Sequence, residues 1–83
     1  PAVTSYEAEK QAKREDRARA RKREQAEADI ARLEGEIAEL EEQMASPEMA
    51  IDYVLLRETQ AEAEKKRAEL DEVYQVWESL MED

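Results

Sequence analysis

Cysteine, histidine and phenylalanine are missing from this chain, and glycine occurs once, at Gly35. Without thiols or imidazoles there is no disulfide, no zinc finger, no thiol nucleophile and no imidazole base. Proline occurs only at Pro1 and Pro47, too little punctuation for the many turns of a β or α/β fold. No apolar run approaches the ~20 residues of a membrane span, and none marks the core of a signal peptide. Aromatics are confined to Tyr6, Tyr53, Tyr74 and Trp77. What is present in quantity is charge, at 43% of 83 residues. A chain this short forms one small domain at most, because it buries too little surface for a thick core. Its weight of Ala, Glu, Lys, Arg and Leu predicts long helices. Because it starts at Pro1 rather than Met, we expect a processed or excised piece of a longer protein.

The net charge of −10 conceals a division. Residues 1–23 carry eight bases (Lys10, Lys13, Arg14, Arg17, Arg19, Arg21, Lys22 and Arg23) and four acids, for +4. Residues 24–83 carry nineteen acids and five bases, for −14. Such asymmetry points to a basic arm for nucleic acid or another anionic partner. The plainer reading is a solvated helix face whose cations pair with nearby acids.

From Ala26 onward, apolar residues fall at Ala26, Ile30, Leu33, Ile37, Leu40 and Met44. The steps of 4 and 3 define a heptad with Ile30, Ile37 and Met44 at a and Ala26, Leu33 and Leu40 at d. Gly35 then lies on the outer face. Thr4 followed by Glu7 fits a capping box, so the helix could start that early, with fraying. The frame ends at Ala45-Ser46-Pro47-Glu48. Ser46 is a good N-cap, and proline suits a first helical position while opposing continuation of the incoming helix. Asp52 offers a second N-cap. We therefore expect an arm, either a linker or a frayed helix, over 1–15, a first helix over about 16–45, a turn over 45–52 holding at most one loose helical turn, and a second helix over about 53–82.

The second helix places Leu56, Ala63, Leu70 and Trp77 at a, and Thr59, Lys66, Val73 and Leu80 at d. Leu55, Tyr74 and Met81 widen that stripe, while Thr59, Ala63 and Lys66 leave its middle thin, with the Lys66 stem along the seam and its ammonium in water. A short turn makes the two helices antiparallel neighbours. Facing residues then have numbers that add to about 100, which pairs Leu56 with Met44, Ala63 with Ile37, Leu70 with Ile30 and Val73 with Ala26. Trp77 comes beside Arg23, where it would plug the end of the seam and stack on Arg23 or Arg19. The expected fold is all-α: an antiparallel two-helix coiled-coil hairpin with a basic N-terminal arm. A parallel homodimer is the rival, since Ile at a with Leu at d favours it, but the pattern lasts barely two heptads.

Catalytic chemistry has no foothold in this pattern, and we read the chain as non-enzymatic. One glycine cannot build a phosphate loop, and no EF-hand loop is present for a cation. A carboxylic acid needs a pocket to raise its pKa, which a two-helix rod does not provide. Glu34, Glu36, Glu39, Glu41 and Glu42 read as a solvated face. Arg67 with Asp71, and Glu62 with Lys66, have the i,i+4 spacing of helical ion pairs.

The run from Ile30 to Glu48, with its acidic heptad ending in Ala45-Ser46-Pro47-Glu48, resembles the first helix and turn of the C-terminal coiled-coil domain of ABC-F ATP-binding cassette proteins, of the Uup-like and EttA-like kind. The ending Leu70, Val73, Tyr74, Trp77, Glu78 and Leu80 is similar to the ladder that closes that family's second helix. The likeness covers roughly residues 20–83; the basic run before them matches more loosely. It implies a cytoplasmic parent protein with two ATPase cassettes outside this chain, using ATP and Mg, and linked to translation on the ribosome. For the domain itself it implies contact with nucleic acid, either DNA or ribosomal RNA. No membrane partner and no cofactor are expected in this piece, which we expect to be monomeric. The contact residues would be Lys10, Lys13, Arg14, Arg17, Arg19, Arg21, Lys22 and Arg23. If helical, Lys10, Arg14, Arg17 and Arg21 line one face suited to phosphates. No aromatic lies within residues 10–23 to stack on bases, so no strong single-strand preference is expected. The alternative is a purely structural or protein-interaction coiled coil, a spacer or homodimerisation module.

Overall fold

A computed structural model describes residues 2–82. Three helices follow in order: α1 over Ala2–Met44, α2 over Pro47–Ala50 and α3 over Tyr53–Met81. α1 and α3 pack side by side along a rod of 74 × 15 × 14 Å. The chain is all-α, an antiparallel helical hairpin with a basic N-terminal arm.

Two capped breaks reverse the chain. The end of α1 tightens as the Ala45 amide is shared by the Glu41 and Glu42 carbonyls and the Ser46 amide donates to the Gln43 carbonyl. Ser46 then turns extended, and its hydroxyl accepts from the Met49 amide at 3.4 Å. Pro47 takes the first position of α2, where its missing N–H costs nothing. One turn later Asp52 breaks the helix again, and its carboxylate accepts from the Leu55 amide at 3.0 Å. Every described backbone φ outside glycine is negative, so capping alone accomplishes the reversal. Met49 from α2 is buried against the hairpin end. The heptad reading leaves it out because it lies between frames.

The register is visible in contacts that span the hairpin. Lys66 Nζ meets Glu36 Oε1 at 3.3 Å, and Arg19 donates to the Glu82 carbonyl at 3.1 Å. In both pairs the residue numbers add to about 100, as expected of a fold at this turn. Along the seam, Ala26, Leu33, Ile37, Leu40 and Ala63 are buried, while Ile30, Met44, Leu56, Leu70, Val73, Trp77 and Leu80 are half-buried. Both apolar stripes are thus satisfied within one chain.

Several details depart from the sequence reading. The thin middle of α3 is its best-covered part, for Thr59 and Ala63 are its buried residues. Small side chains disappear beneath the opposing stripe, whereas large ones protrude past its edges. The Thr59 hydroxyl is satisfied by the Leu55 carbonyl at 2.8 Å. Leu55 and Met81 do not widen the stripe; they are 43% and 54% exposed. The Lys66 side chain is half-buried at the seam, and its ammonium has a partner the sequence reading did not give it, Glu36. Arg67 and Lys66 do not pair with Asp71 and Glu62 along the helix but reach across the seam, Arg67 to Glu41 at 2.9 Å. Within α1, Arg32 makes the helical pair with Glu36 at 3.0 Å.

The start of α1 also differs. Of the two starts the sequence allows, near residue 16 or at a Thr4 cap, the structure takes neither: the helix is unbroken from Ala2, and Thr4 lies inside it rather than capping it. Propagating an existing helix avoids the cost of a new nucleus. The intervening Ala, Glu, Gln, Lys and Arg are all good helix formers. A Gln11–Glu15 hydrogen bond of 3.1 Å adds one local link.

Candidate nucleic-acid interface

α3 ends at Met81, and its last carbonyls come level with Arg19. Residues 2–18 therefore extend about 25 Å past the hairpin as a lone helix, at 1.5 Å per residue. From Thr4 to Arg17 every side chain is exposed. Among the described residues, nothing covers this arm.

The eight candidate cations do not form one group. At about 100° per residue, Lys10, Lys13, Arg14, Arg17 and Arg21 fall within an arc of about 100° on α1. That arc is centred opposite the stripe of Ala26, Ile30, Leu33 and Ile37 that meets α3. All five are exposed and, among the described residues, none makes an ion pair. Their ladder from Lys10 to Arg21 spans about 17 Å along the axis. Arg19, Lys22 and Arg23 lie on the other side. Arg19 occupies the seam face and closes the end of α3, where unsatisfied carbonyls and the negative end of the helix dipole attract a guanidinium. Lys22 flanks the seam beside Ala26 and Val73, and Arg23 is half-buried.

This placement overturns the expected stacking of Trp77 on Arg23 or Arg19. The cation–π contact among the described residues is instead Arg57 over Tyr53, 5.7 Å from the ring centroid. Trp77 remains half-buried at the seam, its indole Nε1 without a hydrogen-bond partner.

Gly35 sits mid-helix with open space around it. No group of three or more metal-ligating side chains among the described residues could hold Mg. No helix of the described residues is long and apolar enough to cross a membrane.

A search of curated proteins and a search of solved structures each found no match. The model of one protein family, the ABC transporter C-terminal domain, matches residues 13–82. That span takes in the hairpin, both caps of the turn and all but the first of the eight cations. This chain belongs to the ABC transporter C-terminal domain family.

Proposed function

We propose that this chain is the C-terminal coiled-coil domain of an ABC-F-type ATPase and that its arm contacts nucleic acid, DNA or ribosomal RNA, through phosphates. The observation that carries this reading is the uncovered basic face of Lys10, Lys13, Arg14, Arg17 and Arg21. Five cations on one helix face, unpaired among the described residues, suit a phosphate backbone, and the contact would be electrostatic and tolerant of sequence. The −14 hairpin behind the arm repels phosphate, which confines binding to the projecting end and orients it. ATP hydrolysis belongs to cassettes outside this chain, in a cytoplasmic parent acting in translation, and the isolated chain is a monomer.

Titration of labelled duplex DNA and of ribosomal RNA fragments at two salt concentrations tests the proposal. Five phosphate contacts predict a loss of affinity of roughly several-hundred-fold between 50 and 200 mM salt. Changing the five outward cations to Gln should abolish binding, while changing Arg19 and Arg23 should affect hairpin stability first. Affinity that survives the five changes would overturn the reading.

One observation favours a second role as a protein-docking arm. At the opposite end of the rod, Ile51, Tyr53 and Val54 leave an apolar cluster in solvent, with Ile51 91% exposed. Such clusters mark contact surfaces.

A further inference from the structure

We infer that Tyr6 is a base-stacking residue that gives the arm selectivity for nucleic acid with unpaired bases. The inference rests on the reading of the arm as a phosphate-binding face and deepens it. Because α1 continues back to Ala2, Tyr6 lies four residues before Lys10, seven before Lys13 and eleven before Arg17. At about 100° per residue this puts its ring within the arc of the five cations. The ring is 64% exposed. Two shallow recesses meet at it, one lined by Lys10 and Arg14 with Glu7 and Gln11, the other by Lys10 and Lys13 with Glu9.

The other aromatics lie elsewhere. Tyr74 and Trp77 are half-buried in the hairpin, and Tyr53, 69% exposed with Arg57 5.7 Å from its ring centroid, stands at the far end of the rod on the acidic hairpin. Among the aromatics of the described residues, Tyr6 is the one whose open ring lies on the basic face of the arm. Glu7 and Glu9 lie beside it, so a phosphate is disfavoured at that turn, whereas a neutral base is not. One turn further on, Lys10 and Lys13 stand ready for the neighbouring phosphates. In a continuous duplex the faces of the bases are already stacked on one another, so the ring has nothing to receive. An unpaired base has a free face, and stacking on an aromatic ring holds it with little regard to its identity.

The test compares the whole chain with Tyr6→Ala and Tyr6→Phe at one salt concentration. The probes are a short labelled thymidine homopolymer, the corresponding uridine RNA and a blunt DNA duplex, and circular dichroism checks that helicity is retained. Tyr6→Ala should weaken binding to both single strands at least about fivefold, the lower bound for stacking on one base, and binding to duplex less than about twofold. Tyr6→Phe should bind as the unaltered chain does. The two homopolymers report separately whether DNA or RNA is the better ligand. Binding to all three probes that Tyr6→Ala leaves unchanged, or weakens equally, overturns this inference alone. Failure of the unaltered chain to bind any probe overturns it together with the phosphate-binding reading.

Discussion

Lys66 reaches across the hairpin to Glu36, its Nζ 3.3 Å from Oε1, from a heptad position where an apolar side chain would be expected. Glu36 also receives Arg32 at 3.0 Å, so it keeps one partner if the other is removed. The Lys66 side chain is 24% exposed, which keeps the pair partly screened and of modest value. Lys66→Leu should therefore stabilise the hairpin by about 1 kcal/mol, since the apolar gain exceeds the loss of one screened pair. Urea unfolding followed by circular dichroism measures it. A net loss of stability would show that the cross-seam pair is worth more than burial at this position.

Leu33 and Ala63 are both fully covered, at 0% exposure, yet they should respond in opposite ways to a change of size. Leu33→Ala removes the largest fully buried side chain and should cost about 2–5 kcal/mol. In so small a domain that approaches the whole stability, and thermal melts should show the variant largely unfolded at 37 °C. Ala63→Leu overfills the seam and should cost about 1–3 kcal/mol by forcing the helices apart. Ala63→Leu melting above the unaltered chain would contradict the close packing inferred there.

Gly35 is an opportunity for stabilisation. A β-carbon built there meets nothing within 4 Å, and the residue has no positive φ to preserve. Gly35→Ala should raise stability by about 1 kcal/mol through helix propensity alone. A higher midpoint in denaturant with an unchanged slope is the expected signature.

The arm should be separable from the hairpin. Side chains from Thr4 to Arg17 cover nothing on α3, so deleting residues 1–16 should shift the unfolding midpoint by no more than about 0.5 kcal/mol in stability. The same deletion should remove nucleic-acid binding, because it takes Lys10, Lys13 and Arg14 from the basic face. A large fall in melting temperature would show that the arm supports the hairpin in some other way.

Much of this structure is written in local pattern. The alternating steps from Ala26 to Met44 specify which face of α1 is buried, because a helix repeats every 3.6 residues wherever it lies. Ser46-Pro47 and Asp52 specify the reversal, because capping acts within three or four residues of chain. The sequence by itself thus determined an all-α hairpin, its register near the turn, and a charge split of +4 against −14. What it could not decide is which of several competing partners a long charged side chain takes. Lys66 and Arg67 could pair along α3, but the opposing acids Glu36 and Glu41 take them. Arg19, one of the eight cations of the basic run, is drawn to the end of α3 by the Glu82 carbonyl. Spacing alone lines Lys10, Arg14, Arg17 and Arg21 on one face, but only the packed structure shows how far α3 reaches along α1, and so that Arg19 closes its end while the outward cations stay exposed. It alone carries α1 unbroken to Ala2, through cooperative extension of a helix already held in place, and so sets Tyr6 on the same face as the charges.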